Sequence, residues 1–183
     1  ILIIVCIDNP GSLIHKKRLF FRGFGLYQSC KMGIKILKYK LLDLIDFIFS
    51  YKVLKNPYSI KASAKRSGAS YMKINDPNDD FFLKILDEKK IDLVVSFSAP
   101  IIFKKNLLNL PKYGCINLHC SILPKYAGLL PSFWTIYKQE KEIGSTVHYM
   151  DNKIDNGEIL GQIKTTMPKN PTMFKVIKIT KDL

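Results

Sequence analysis

Residues 70–98 read as strand, helix and strand in immediate succession, and that order narrows the possible architectures more than any other feature. Ser70–Asn75 is a short strand candidate. The segment DPNDDFFLKILDEKK that follows is a helix, with Asp76 placed to cap it and Pro77 at a first helical position. Acids crowd its start and Lys89 and Lys90 its end, which matches the helix dipole. Phe81, Phe82, Ile85 and Leu86 supply the apolar face. Ile91–Ser98 has the continuous apolar character of a fully buried strand. A helical crossover joins parallel strands, so the middle of the chain is α/β with a parallel sheet as its core.

The flanking segments extend this pattern. Lys104–Leu110 reads as a short helix and Gly114–His119 as the next strand. Ligands of open α/β sheets lie beyond the carboxyl ends of strands, so 96–102 and 117–121 are expected on one rim. Upstream, Ile1–Ile7 reads as a buried strand closed by the turn signal Asp8-Asn9-Pro10-Gly11. Gly11 belongs to no G-x-G-x-x-G pattern, which excludes a dinucleotide fingerprint there. Lys31–Leu54 is helical and apolar on more than one face, but Asp43 and Asp46 interrupt it, so it is not a membrane span. PSFWTIYKQEK opens a helix at Pro131, with Gly144 expected at its end. Ser145–Met150 alternates as a strand, and Glu158–Met167 is expected to pair back across Asp155-Asn156-Gly157 as a hairpin.

Length and charge set outer limits. A chain of 183 residues suits one domain over 1–183. It begins with Ile inside an apolar run too short for a membrane span and without the features of a secretory signal, so a fragment truncated at both ends is expected. Lys and Arg number 29 against 15 acids, a net charge of +14. That excess fits either a solvated lysine-rich surface or an anionic partner such as RNA or a nucleotide-linked substrate. In HKKRLFFRGFG, Lys16, Lys17, Arg18 and Arg22 interleave with Phe, which could grip a nucleic acid or pack its rings inward. Cys6, Cys30, Cys115 and Cys120 form no C-x-x-C pair and read as the reduced thiols of a cytoplasmic protein. Cys115, His119 and Cys120 lack zinc-ligand spacing, and no metal is expected.

Three residues point to chemistry. Asn117 and His119 stand two apart on one strand and share a face. An amide can hold a developing oxyanion, and an imidazole can act as acid or base near neutrality. Asp155, on a later turn, could reach the same rim, where a carboxylate favours a charged imidazole. Acyl transfer to an amine needs such a set.

The surrounding residues carry a resemblance. N-L-H-C-S-I-L-P-K-Y-A-G from Asn117, P-S-F-W from Pro131, and G-S-T-V-H-Y-M-D-N-K-I-D-N-G-E-I-L from Gly144 resemble the formyltransferase family, most densely over 92–162. That family includes methionyl-tRNA, glycinamide ribonucleotide and sugar N-formyltransferases. The resemblance implies a Rossmann-like three-layer α/β fold with a mainly parallel sheet and a C-terminal β-hairpin. ILIIVCI aligns with the family's second strand, so its first strand is expected to be lacking. The implied catalytic residues are Asn117, His119 and Asp155, and the implied donor is 10-formyltetrahydrofolate. Its pterin would be held by backbone groups of two loops, Phe97, Ser98, Ala99, Pro100, Ile101 and Ile102, and Asp151, Asn152, Lys153 and Ile154. Ser121 would buttress the site loop, with Pro124 and Gly128 shaping it. Ala127 stands where many relatives carry Arg, and Cys120 where they often carry Pro or Ala. The implied acceptor is a primary amine. Tyr126, Phe133 and Trp134 are similar to the branch acting on nucleotide-linked amino sugars, whereas the net charge leans toward initiator methionyl-tRNA. The competing readings are a basic nucleic-acid-binding module and an inactive relic that keeps the fold.

Overall fold

The structure is a computed structural model describing residues 2–7 and 13–183, with backbone alone for 13–25 and 28. The expected turn at Asp8-Asn9-Pro10-Gly11 lies outside the described residues, as do the side chains of Lys16, Lys17, Arg18 and Arg22. Two compact units divide the chain at Asp76–Pro77.

In the first unit, β1 (Ile3–Ile7) pairs in parallel with β2 (Ser70–Ile74), from Ile3 opposite Ser70 to Ile7 opposite Ile74. Between them run α1 (Leu13–Ile48) and α2 (Ile60–Arg66). The helix expected over 31–54 is thus the latter part of a 36-residue helix that stops earlier. Asp46 explains the stop. Its fully buried carboxylate collects the amides of Val53 (3.3 Å) and Leu54 (3.2 Å) and the Arg66 guanidinium (2.6 Å), which folds the chain back after a left-handed pair at Ser50 and Tyr51. Among the described residues, no helix is long and apolar enough to cross a membrane.

The second unit holds α3 (Asp80–Glu88), β3 (Val94–Phe97), α4 (Lys105–Leu108), β4 (Cys115–His119), α5 (Pro131–Tyr137), β5 (Glu142–Tyr149), β6 (Ile159–Thr166) and α6 (Met173–Asp182). Its sheet runs β3-β4-β5-β6, with the first pair parallel and the other two antiparallel. The hairpin expected at the C-terminal side is β5–β6. The architecture is α/β with parallel and mixed pairing.

Several local expectations need correction. The helix after β2 is capped by Asp79, whose carboxylate accepts from the Phe81 amide at 2.8 Å, and not by Asp76. Asp and Asn are equally able caps, and this segment offers both within four positions. The segment through α3 joins strands of two different ladders, because β2 takes its ladder from β1 and β3 from β4. A crossover fixes strand direction but not adjacency. Among the described residues β3 stands at the end of its sheet order, with Ser96 buried and Val95 and Phe97 exposed, so its apolar run did not report full burial. Finally, α5 ends at Tyr137, and Gly144 lies inside β5. A Cβ on Gly144 would stand 2.2 Å from the Ile163 carbonyl oxygen, so its role is to let β6 approach.

Candidate active site

Strand register builds the site. Ser96 on β3, Asn117 on β4 and His148 on β5 are ladder partners and form one polar row across three strands. His119, two residues beyond Asn117, shares its face. The parallel pairing of Phe97 with Leu118 sets the carboxyl ends of β3 and β4 side by side, as expected.

Asp155 reaches this row from the turn after β5. Its left-handed backbone (φ 46°) is one that Asp tolerates. Gly157 makes the turn possible, because a Cβ there would fall 1.8 Å from the Tyr149 carbonyl oxygen. One Asp155 oxygen, Oδ2, accepts from the Gly128 amide at 2.8 Å and stands 3.3 Å from His119 Nδ1. The other, Oδ1, lies 3.4 Å from Asn117 Nδ2 and 3.4 Å from His148 Nε2. The three residues singled out from sequence therefore come together, with Asn117 and His119 both on the Asp155 carboxylate.

Both imidazoles are buried and fully contacted. His119 Nε2 lies 2.9 Å from the Tyr126 carbonyl oxygen, which can only accept, so that nitrogen carries a proton. With Asp155 at Nδ1, both contacts are hydrogen bonds only in the doubly protonated ring. His148 Nδ1 faces the Tyr149 carbonyl oxygen at 2.8 Å and must likewise be protonated. Its Nε2 then accepts from Asn117 Nδ2 at 3.4 Å when neutral and donates to Asp155 when charged. His148 was missed from the sequence. Its signal is the alternation of S-T-V-H-Y, but only the register opposite Asn117 places it in the cluster.

The loop between β4 and α5 closes over His119. Ser121 Oγ donates to the Lys125 carbonyl at 2.8 Å, and Thr146 Oγ1 to the Ser121 carbonyl at 2.7 Å. Ser121 thus braces the loop, as the resemblance implied. Tyr126 and Leu130 both have left-handed backbones, with φ of 60° and 57°.

The two other loops lie at strand ends. The 97–102 segment leaves β3 through a left-handed Ser98, and Phe97 and Ile102 are exposed. Asn78 clamps its far end, donating to the Ile102 carbonyl (3.0 Å) and accepting from the Lys104 amide (2.7 Å). The 151–154 segment is closed by Asp151, which accepts from the Lys153 amide at 2.8 Å. Asn152, Lys153 and Ile154 are exposed beside Asp155.

Residues 53–182 match the sequence profile of the formyl transferase family. The chain is 32% identical over 154 residues to the bifunctional polymyxin resistance protein ArnA of Wigglesworthia glossinidia brevipalpis, covering 84% of this chain and 23% of that protein. It is 42% identical over 90 residues to a methionyl-tRNA formyltransferase of Syntrophus aciditrophicus, covering 49% of this chain and 29% of that one. The chain thus spans less than a third of either relative. Among solved structures, the phosphoribosylglycinamide formyltransferase of Bacillus halodurans superposes with a TM-score of 0.61 at 21% identity, over 70% of each chain, a likeness of fold. The formyltransferase PseJ of Anoxybacillus kamchatkensis, solved with UDP-4,6-dideoxy-4-formamido-L-AltNAc and tetrahydrofolate, gives 0.56 at 25% identity over 68% of this chain and 65% of that one. With 53–182 matched to the family profile, this chain belongs to the formyl transferase family.

Proposed function

We propose that residues 1–183 belong to the catalytic domain of a cytoplasmic enzyme that transfers a formyl group from 10-formyltetrahydrofolate to a primary amine. The observation that carries this reading is the convergence of Asn117, His119 and Asp155 within 3.4 Å. Support for the donor comes from the family and from the tetrahydrofolate named in the PseJ complex. The pterin would lie against backbone groups of 97–102 and 151–154, both exposed at strand ends next to the cluster. The donor supplies an activated formyl carbon. Attack by the amine forms a new C–N bond and pushes negative charge onto the formyl oxygen. Asn117 Nδ2, whose two present contacts are long at 3.4 Å, is the donor that turns to that charge, and the protonated His119 ring beside it stabilises the charge electrostatically. Asp155 balances the charged ring and can take a proton from the attacking amine for delivery to the departing folate nitrogen.

The acceptor favoured is an amine on a nucleotide-linked sugar. On α5, Phe133 stacks on Tyr137 with centroids 5.8 Å apart and Trp134 stands edge-on to both, all three partly or fully exposed. Exposed rings of this kind suit the faces of a base or sugar. The net charge of +14 and the 42% identity to a methionyl-tRNA formyltransferase favour a second acceptor, methionyl-tRNA. Offering the full-length protein 10-formyltetrahydrofolate with each acceptor separates the two by which amine is formylated. Formylation of neither ends the proposal.

A further inference from the structure

We propose that Tyr126 and Glu140 form a positioning pair that sets the orientation of His119 from outside the reacting centre. The inference rests on the catalytic role proposed for His119.

Tyr126 has two polar ends that act in opposite directions. Its backbone carbonyl oxygen receives His119 Nε2 at 2.9 Å. Its hydroxyl donates to Glu140 Oε1 at 2.7 Å. Glu140 holds a second grip on the same loop through Lys125 Nζ at 3.1 Å. Between these ends the Tyr126 backbone adopts a left-handed conformation (φ 60°) that a side-chain-bearing residue adopts only when its surroundings impose it. Turning that residue to an ordinary φ would swing its carbonyl away from His119. Ser121 and Asp155 hold the loop on either side of Tyr126, and the two bonds to Glu140 add the grip on Tyr126 itself that aims its carbonyl at the ring.

The bond strength fits the role. The hydroxyl–carboxylate bond pushes the Tyr126 phenol up and holds the Glu140 carboxyl below its usual range, so the pair is charge-assisted at neutral pH. Tyr126 and Glu140 also line the wall of an open cleft of about 420 Å³. Trimming either side chain there opens no void in a packed core.

Four variants of the full chain test this: Glu140→Ala, Glu140→Gln, Tyr126→Phe and Glu140→Ala with Tyr126→Phe. The first readout is the ring-nitrogen NMR signal of His119 without substrate. Glu140→Ala and Tyr126→Phe should each shift or broaden the Nε2 signal, Glu140→Gln should restore it, and the double variant should match either single one. The second readout is turnover, with kcat falling between about tenfold and 10²-fold in Glu140→Ala, because a misplaced group costs that much. KM for the donor should stay within about twofold. An unmoved His119 signal in Glu140→Ala, or a Gln variant no better than Ala, overturns the pairing. The NMR comparison stands even if no acceptor is formylated, so failure of the enzyme assignment is told apart from failure of the positioning pair.

Discussion

Asp46 in the first unit and Asp155 in the second are carboxylates drawn out of water, and the two are held in opposite ways. Asp46 has no exposed side-chain surface and a guanidinium at 2.6 Å, with two backbone amides completing its shell. Asp155 keeps 14% of its side chain exposed. It has one firm bond, from the Gly128 amide at 2.8 Å, and three looser neighbours at 3.3–3.4 Å. Arg66 stays charged at any physiological pH, whereas two of the Asp155 neighbours are imidazole nitrogens, a group able both to donate and to accept. A closed shell of permanent donors fixes a chain reversal. An open shell of switchable donors can exchange protons and tighten on a ligand, as catalytic hydrogen bonds do on substrate binding.

If that contrast holds, breaking the two sites should give opposite phenotypes. Asn117→Ala, His119→Ala and Asp155→Asn should each lower formyl transfer about 10²–10³-fold, the usual cost of losing an oriented oxyanion donor. Circular-dichroism melts of the same variants should stay close to the parent. A large loss of stability with intact turnover would reverse the assignment. Arg66→Ala should do the converse. It strands a buried carboxylate, so the thermal midpoint should fall by several degrees, with turnover per folded molecule unchanged. Replacing Asp46 and Arg66 together with apolar residues of similar size removes the orphaned charge but leaves the Val53 and Leu54 amides without their acceptor, so it should recover only part of that loss.

Two glycines sharpen the comparison within the second unit. Gly157→Ala puts a Cβ 1.8 Å from the Tyr149 carbonyl oxygen, so the turn carrying Asp155 must move. Its expected signature is loss of both stability and turnover. Gly144→Ala, four residues before His148 on β5, pushes β6 away from β5 and presses on the Ile122 side chain. It should cost about 1–3 kcal/mol of stability, as backbone overpacking does, while the surviving folded protein keeps its turnover.

The same two regions show what the residue order reveals. Asn117 and His119 were legible because a strand places alternate residues on one face, and Asp155 because it stood in a dense run of familiar neighbours. His148 was not legible. Its membership depends on a register with Asn117 across 31 positions, and the alternating pattern of β5 fits a packed histidine as well as a site one. Asp46 was read only as a charge that breaks an apolar helix. Its partner lies 20 residues on, and nothing local announces that pairing. The cap at Asp79 and the place of Gly144 failed for a related reason: local propensity offers several equivalent choices, and packing selects one.

The smallest expected effects lie in pH dependence, and their signs follow from geometry. Burial pushes the Asp46 carboxyl up, but the bonds from Leu54, Arg66 and Val53 together outweigh it, and the net shift is downward. A carboxyl lowered in the folded state contributes stability above its ordinary value near 4, and that contribution is lost as pH falls through the folded value. Cys115 runs the other way. Burial alone pushes its thiol up to about 11. The unfolded thiol ionises first, near 9.0, so the folded state loses ground between there and about 11. Cys115 is buried against α4, with its Sγ 3.6 Å from the Leu107 carbonyl oxygen. Urea titrations of the parent and of Cys115→Ala should therefore differ in slope only at alkaline pH, and those of the parent and Arg66→Ala only at acid pH. An alkaline slope that survives Cys115→Ala would assign that loss to another group.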